Sequence, residues 1–160
     1  MIAAGVSRVD AVLFTHDHAD HVHGIDDIRA LSDRTRLPID MYGPPDTMER
    51  LAKRFPYIFD DSIKALPGTS KPEGRAHPVL PGKSFRIGDV DVMPVAVPHG
   101  PAPVYGYRIG KLGYVTDAKE IPDEAFAAFR CVTRTVPNPL FPPPPPPRPT
   151  LPPPARAPPP

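Results

Sequence analysis

The sequence lacks the features of an extracellular, membrane or nucleic-acid-binding protein. Cys131 is the only cysteine among 160 residues, so an intrachain disulfide is excluded and a reducing cytoplasm is the expected compartment. The formal net charge is +1, too small for the electrostatic surface of a general nucleic-acid or membrane binder. No apolar run approaches the roughly 18 residues of a membrane span, and the opening residues lack a signal-peptide pattern. We expect a cytoplasmic protein with no nucleic-acid or membrane partner; its oligomeric state stays open.

Proline is unevenly distributed and divides the chain in two. Residues 137–160 hold 15 of the 28 prolines and almost nothing that could build a core. A segment of this kind lacks the backbone donors that helices and sheets require, so polyproline II structure or disorder is expected there. We predict a globular domain over residues 1–136 and a disordered, proline-rich, low-complexity tail over residues 137–160.

The first half of the globular part alternates strand and helix patterns. The apolar, β-branched runs VDAVLF (9–14) and IDMYG (39–43) predict strands. Each is followed by apolar residues at helical spacing, in HVHGIDDIRAL (21–31) and PPDTMERLAKRF (44–55). Residues 60–83 are rich in proline and glycine and are predicted to form a loop.

Four strands and a helix are predicted after this loop. SFRI and VDVMPVAV flank a Gly-Asp turn as a hairpin, and VYGYRIG and LGYVT flank a turn at Lys111. Pro94 favours an edge position or a bulge for its strand. PDEAFAAF (122–129) predicts the last helix, because a proline opens its first turn and acids follow. This order of elements predicts the α/β class, in its mixed α+β form.

Four of the six histidines lie in one segment, THDHADHVHG, which begins directly after the first predicted strand. His16 and His18 are two residues apart at a strand end, so their imidazoles can point the same way and bind one metal ion. Asp20 and His21 come after the chain has turned, where they could face a second ion about 3.5–4 Å from the first. A solvated histidine-rich loop is the alternative for His-x-His alone. The longer pattern H-x-H-x-D-H after an apolar strand favours a metal site.

THDHADH resembles the signature loop of the metallo-β-lactamase-fold hydrolase superfamily. MYGPPDTMERL, VPHG and VYGYRIGKLGYVTDAKEIPDE resemble, in the same order, the branch that includes phosphoribosyl 1,2-cyclic phosphate phosphodiesterases. The resemblance covers about residues 1–130. The ligands that it implies are His16, His18 and His99 for a first metal ion, Asp20 and His21 for a second, and Asp117 as a bridge between the two.

The resemblance also implies a fold, a cofactor and a reaction. The fold would be a partial αββα sandwich, with two sheets packed face to face and helices outside. Two divalent ions, zinc or manganese with iron as a third option, would hold a hydroxide that attacks a small cyclic or nucleotide-like phosphodiester. Asp20 would act as the catalytic residue by orienting this nucleophile. Thioester or lactone hydrolysis remains open, while the near-neutral charge disfavours tRNA 3′-end cleavage.

Some of these residues have simpler explanations. His99 could be an ordinary loop histidine, and Asp117 with Glu120 could cap a helix. His23 is expected to support the cluster or to start a helix, not to bind metal. Asp17 would point away from the metal.

Parts of the family pattern are not found in this sequence. The family has a β-hairpin region before its first matching strand and, after FAAFR, another strand and histidine-bearing segments. Here CVTRTVPNPLF and prolines follow instead, and no histidine occurs after His99. We therefore expect strands to be missing at both ends, the second metal site to lack a ligand, and the chain to be a poorly stable or inactive fragment.

Two further hypotheses concern the proline-rich segment. A shift of reading frame near residue 130 would explain its abrupt start, and translating the other two frames tests this, because one of them should encode a strand followed by histidines. Alternatively, the protein is a non-catalytic interaction protein whose PxxP segments, near Arg148 and Arg156, bind an aromatic groove.

Overall fold

Two β-sheets form the centre of the protein. The computed structural model describes residues 5–100, 102–118, 120–130 and 132–138. Within these ranges the first sheet has three strands and the second has five. The predicted tail therefore lies, from residue 139 onward, outside the described residues.

The first sheet is parallel and is built from two strand–helix–strand units. Its strands run in the order β1 (Ala11–Leu13), β2 (Ile39–Gly43), β3 (Gly74–Pro78). The connecting helices are α1 (Ala19–Val22), a 3-10 helix (His23–Ile28) and α2 (Arg29–Thr35) in the first unit, and α3 (Pro45–Arg54) and α4 (Pro56–Phe59) in the second. Parallel neighbours bring the carboxyl ends of β1 and β2 to the same edge of the sheet.

The second sheet is antiparallel except at its last strand. Its order is β4 (Phe85–Ile87), β5 (Val90–Val97), β6 (Val104–Ile109), β7 (Leu112–Thr116), β8 (Arg134–Asn138), with α5 (Asp123–Ala128) between the last two. The hairpin of β4 and β5 and the hairpin of β6 and β7 confirm the predicted turns. Pro94 pairs with Tyr107 of β6 beyond the end of β4, and its carbonyl accepts a hydrogen bond from the amide of Gly82. The proline thus lies where its strand has no β4 neighbour, as edge placement requires.

Three apolar clusters fill the space between the layers of helices and sheets. On the helix side of the first sheet, Met41, Met48, Leu51 and Ile58 are fully or almost fully buried. Met48 and Leu51 belong to α3, so their burial confirms the apolar face predicted for residues 44–55. A burial of this kind contributes roughly 1.5–3 kcal/mol for each large side chain.

The other two clusters complete an αββα sandwich. Val92, Tyr105 and Tyr107 of the second sheet are buried with Leu13 and Phe85 packed against them, which places this cluster between the sheets. On the outer face of the second sheet, valines of β5 to β7 pack against Ala125 and Phe129 at α5. The fold is therefore the mixed α/β sandwich that the resemblance implied.

Three predictions of secondary structure were wrong. The segment predicted as a loop over residues 60–83 contains β3, which hydrogen-bonds to β2 as an edge strand. Its sequence, GRAHP, has almost no apolar alternation, and Gly74 leaves room for the buried Met41, whose Cε would lie 2.7 Å from a Cβ at this position and would have to shift. Pairing with a neighbour that is distant in sequence, not local pattern, determines this strand.

The other two corrections concern the helix at residues 21–31 and the segment after residue 130. The predicted helix is interrupted by the 3-10 helix, where Gly24 lowers helical propensity, and it continues to Thr35. The pattern of residues 132–138 predicted no strand, yet β8 pairs with β7 along its whole length and crosses the predicted domain boundary. The division into domain and tail stays a prediction. No helix within the described ranges is long and apolar enough to cross a membrane.

Candidate metal centre

Four predicted ligands converge at one edge of the sandwich. His16 and His18 follow β1, His99 follows β5, and Asp117 follows β7 directly. Each offers one ligand atom, and these atoms lie within 4.8 Å of one another. The two sheets therefore contribute to a single candidate site.

The spacing of the ligand atoms suits a small divalent ion. Nε2 of His16 lies 3.0 Å from Nδ1 of His18 and 3.3 Å from Oδ2 of Asp117. Ligands at about 2.0–2.1 Å from a tetrahedral zinc ion are roughly 3.3 Å apart from each other. Three imidazoles and one carboxylate are also a donor set that zinc, manganese and iron accept. The residues present therefore fit a metal ion.

Two hydrogen bonds orient the imidazoles. Nδ1 of His99 lies 2.9 Å from the backbone carbonyl of Asp117, and since a carbonyl only accepts, this nitrogen carries the proton and donates. Nε2 of His99 is then left with a free lone pair. Nδ1 of His16 lies 3.0 Å from Oγ1 of Thr15, which can accept a hydrogen bond from it and so leave Nε2 free to bind the metal.

Burial keeps the His16 imidazole neutral. Its desolvation, together with the neighbouring imidazoles of His21 and His18, lowers the pKa of His16 to about 4, although Asp117 acts in the opposite direction. A neutral imidazole is the form that binds metal. At neutral pH the His16 imidazole therefore does not have to lose a proton before it binds a metal ion.

Asp117 adopts an unusual backbone conformation. It is 6 % exposed and has a positive φ of 57°, in the left-handed region that non-glycine residues rarely occupy. Such strain is found at functional sites, and the turn places its carboxylate against the histidines immediately after β7. The next helix begins at Asp123, so Asp117 is not a helix cap.

The two residues predicted for a second ion lie next to this group, and His21 contacts Asp117 directly. Nε2 of His21 is 2.9 Å from Oδ2 of Asp117 and 3.5 Å from Oδ2 of Asp20. Asp117 thus contacts both His16 and His21, as a bridging carboxylate would. The Asp20 side chain is 80 % exposed, and neither Asp20 nor His21 belongs to the four-ligand group.

The residue between the two histidines of His-x-His points elsewhere. Oδ2 of Asp17 accepts hydrogen bonds from Nε of Arg50 at 2.9 Å and from Arg54 at 3.1 Å. Burial raises the pKa of Asp17, but the Arg50 hydrogen bond and both guanidinium charges outweigh it, so the pKa lies below its usual value. Asp17 therefore attaches the histidine segment that follows β1 to α3.

Some residues at the site were not identified from the sequence. Thr15, Arg50 and Arg54 each contact a residue of the histidine loop. The available signals were a hydroxyl directly before the first histidine and two arginines spaced i, i+4 on an amphipathic helix. His23 is exposed and opens the 3-10 helix, in agreement with its predicted secondary role.

A cleft of about 670 Å³ opens beside the four ligands. His16, His18 and His99 line it, and Arg50 and Tyr105 contribute elsewhere to its lining. Its volume lies in the range of roughly 300–1,000 Å³ that is usual for small-molecule sites.

Comparison with known proteins gives a family match over most of the chain. Residues 2–140 match the family described as the beta-lactamase superfamily domain. The chain is also 36% identical over 121 residues to an octanoyltransferase of Porphyromonas gingivalis, a match that covers 76% of this chain and 23% of that protein. The chain therefore spans about a quarter of that curated relative.

Solved structures with the same fold include a diphosphatase from the PhnP family. It superposes with a TM-score of 0.68 at 29% identity and covers 84% of this chain and 49% of its own. Zinc-bound PqqB from Methylobacterium extorquens superposes with a TM-score of 0.59 at 17% identity, covering 80% of this chain and 45% of its own. The chain spans about half of each of these structures.

Proposed function

This chain belongs to the beta-lactamase superfamily, and on that premise we propose that it is a metal-dependent hydrolase of small cyclic or nucleotide-like phosphodiesters. The observation that carries the proposal is the convergence of His16, His18, His99 and Asp117, whose ligand atoms lie within 4.8 Å of one another, beside a cleft that the three histidines line. The 29% identity with a PhnP-family diphosphatase supports phosphorus over carbon as the centre attacked.

Each ligand has a distinct part in the proposed site. His16, His18 and His99 would hold the first ion, Asp20 and His21 the second, and Asp117 would bridge them. Two divalent ions, zinc or manganese, would activate water and stabilise negative charge on the substrate. His16 and His99 each have one ring nitrogen that is already hydrogen-bonded, so the other ring nitrogen is oriented and little reorganisation is needed on binding.

Asp20 is proposed as the catalytic carboxylate. Its side chain is exposed and lies 3.5 Å from His21, so it can accept a hydrogen bond from an attacking water at the rim of the site. A carboxylate at this position can orient that water for attack. The same proposal includes a small-molecule substrate, no nucleic-acid partner and a cytoplasmic location. These three parts rest on the net charge and the cysteine content of the sequence.

Hydrolysis of an acyl thioester is the second candidate. The observation in its favour is the 36% identity with an octanoyltransferase, whose name refers to the transfer of an acyl group. The matched region is less than a quarter of that protein, so the support for this candidate is weaker than for the phosphodiester.

The two candidates are separated by substrate. The purified chain, loaded with zinc or manganese, is expected to hydrolyse bis(p-nitrophenyl) phosphate and to release little thiol from octanoyl-coenzyme A. Activity should disappear with a chelator and in His16→Ala, and should persist in His23→Ala, since His23 is exposed. Thiol release faster than nitrophenol release would favour the second candidate.

Metal content tests the two-ion part of the proposal. Because the second site lacks one ligand of the family pattern, it should bind more weakly than the first, and titration with zinc should give two equivalents in the wild type and one in His21→Ala. A wild-type protein that binds one equivalent, unchanged in His21→Ala, would refute the second site.

A further inference from the structure

We propose that the proline-rich tail folds back on its own chain and binds in an apolar groove between β5 and α5. The segment that binds is residues 142–147, six consecutive prolines, in the polyproline II form that the sequence predicts. This inference concerns an interaction surface and does not depend on the proposed hydrolase function. It rests on the lining of the groove, on an open backbone edge of β5 and on the place where β8 ends.

The groove lies on the outer face of the second sheet and has a volume of about 510 Å³. Alternate residues of β5, Met93, Val95 and Val97, line it from the strand, and Ala125 and Ala128 line it from α5. Because both helix residues are alanines, α5 leaves space beside the strand. A polyproline II helix is preformed, so it loses little conformational entropy when it binds an apolar groove.

The strand that lines this groove also has an open edge. β4 pairs with β5 only as far as Val92, whereas β5 continues to Val97. The carbonyl of Pro94 accepts a hydrogen bond from the amide of Gly82 at 2.8 Å and therefore points away from β6. Backbone groups of alternate strand residues point to the same side, so Ala96 directs its N–H to this open edge. A proline carbonyl can accept that hydrogen bond, because proline keeps its acceptor.

The tail leaves the fold at the edge of the sandwich where the groove begins. Parallel pairing of β7 with β8 aligns Asn138 with Thr116. β5 ends at the same edge, three strand positions from β8, which corresponds to roughly 14 Å. A polyproline II chain advances about 3.1 Å per residue, so about five residues cross this distance. Residues 142–147 are therefore the part of the tail that reaches the groove.

The charges of the tail and the groove are complementary. Glu124 is the one lysine, arginine or acid among the described residues that line the groove. Residues 139–160 include Arg148 and Arg156 and no acid. Opposite charges attract within a Debye length, about 8 Å at physiological ionic strength, so this attraction favours the tail at the groove.

A docked tail would lie against the segment that carries one candidate metal ligand. His99, Gly100, Ala102 and Pro103 line both this groove and the cleft beside the metal centre. The tail would therefore restrict the movement of the His99 segment from the side opposite the cleft. That makes the groove an internal docking surface next to the candidate site.

Amide hydrogen exchange on three full-length proteins tests the proposal. They are the wild type, a tail variant with serine at residues 142–147, and a control with serine at the six prolines of 152–154 and 158–160. The Ala96 amide should exchange about 10-fold faster or more in the tail variant and at the wild-type rate in the control. Amides of β2, in the other sheet, should exchange equally in all three proteins.

Three results would overturn the proposal. One is a wild-type exchange rate of Ala96 in the tail variant, and another is an equal acceleration in the tail variant and the control. The third concerns dilution: binding within one chain does not depend on protein concentration. Protection of Ala96 that is lost on dilution would show that the tail of a second copy occupies the groove.

A synthetic peptide of residues 138–150, added to the tail variant, tests the groove separately from the tether. A short tether gives an effective concentration in the mM range, so 10-fold protection within the chain corresponds to a dissociation constant of about 0.1 mM for the peptide. Near that concentration the peptide should restore slow exchange of Ala96. The same peptide with serine at 142–147 should not, and equal effects of the two peptides would reject binding through the prolines.

Discussion

His99 donates a hydrogen bond from Nδ1 to the backbone carbonyl of Asp117 at 2.9 Å, and so joins the loops that follow β5 and β7. The bond fixes the imidazole tautomer of one ligand through the main chain of another. Because both loops belong to the second sheet, that half of the site is organised by the fold itself. The histidines after β1 complete it from the first sheet.

Removal of a central ligand should abolish metal binding. In His16→Ala the affinity for zinc is expected to fall by more than about 100-fold, since loss of a residue that only hydrogen-bonds a metal ligand typically costs 10- to 100-fold. His23→Ala, in the same histidine segment but exposed, is the control and should bind zinc as the wild type does. Competition with a chromogenic chelator measures both. A similar loss in the two variants would contradict the assignment of His16.

The hydroxyl of Thr15 should support the metal site through His16. Thr15→Val removes the oxygen 3.0 Å from Nδ1 of His16, and we expect zinc affinity to fall by about 10-fold or more. Thr15→Ser keeps the hydroxyl and should restore most of the affinity. Equal affinities of the valine and serine variants in the same chelator assay would show that the oxygen has no such role.

Stability of the chelator-treated protein should depend on His16. Burial and the imidazoles of His21 and His18 lower the pKa of His16 from 6.5 to about 4. Between these values the unfolded chain binds a proton that the folded protein does not, so acid favours unfolding. The free energy of unfolding should therefore fall as pH decreases through this window, with a contribution of up to about 1.4 kcal/mol per pH unit.

Urea denaturation at pH 7 and at pH 5 measures this dependence. His16→Gln cannot take up the proton, so its unfolding free energy should change less between the two pH values. If the wild type and His16→Gln lose the same amount of stability, burial of His16 is not the cause.

A buried hydroxyl should stabilise the packing of the two sheets. Oη of Tyr107 donates to the carbonyl of Phe14 at 2.7 Å, directly before the histidine segment. Tyr107→Phe leaves that carbonyl without this donor and should destabilise the protein by about 1–3 kcal/mol. Tyr105→Phe removes a longer contact of 3.4 Å to Val79 and should cost less. Thermal unfolding compares the two, and an equal loss would argue against the bond.

The sequence predicted most of the fold because its patterns are local. The strand that precedes Thr15, the apolar face of α3 and the two hairpins depend on residues close in sequence. β3 and β8 could not be predicted in this way, because both are edge strands whose partners determine them. Gly74, which looks like a loop residue, leaves room in β3 for the buried side chain of Met41.

Only part of the candidate site could be predicted, again because the sequence shows local patterns and not contacts between distant residues. His16 and His18 carry a local pattern, whereas His99 and Asp117 were inferred from the resemblance and only the folded chain brings them together. The contacts of Asp17 with Arg50 and Arg54 span more than 30 residues of sequence, so no local pattern could reveal them. Whether Asp20 and His21 bind a second ion stays a prediction.

The position of the four ligands also bears on how the protein would respond to the loss of metal. Since His16 and His18 come from one sheet and His99 and Asp117 from the other, a bound ion would act as a cross-link between the two halves of the sandwich. A ligand that binds only the folded state, at 100 times its dissociation constant, adds about 2.7 kcal/mol to stability. Metal supply would then determine how long the folded protein persists.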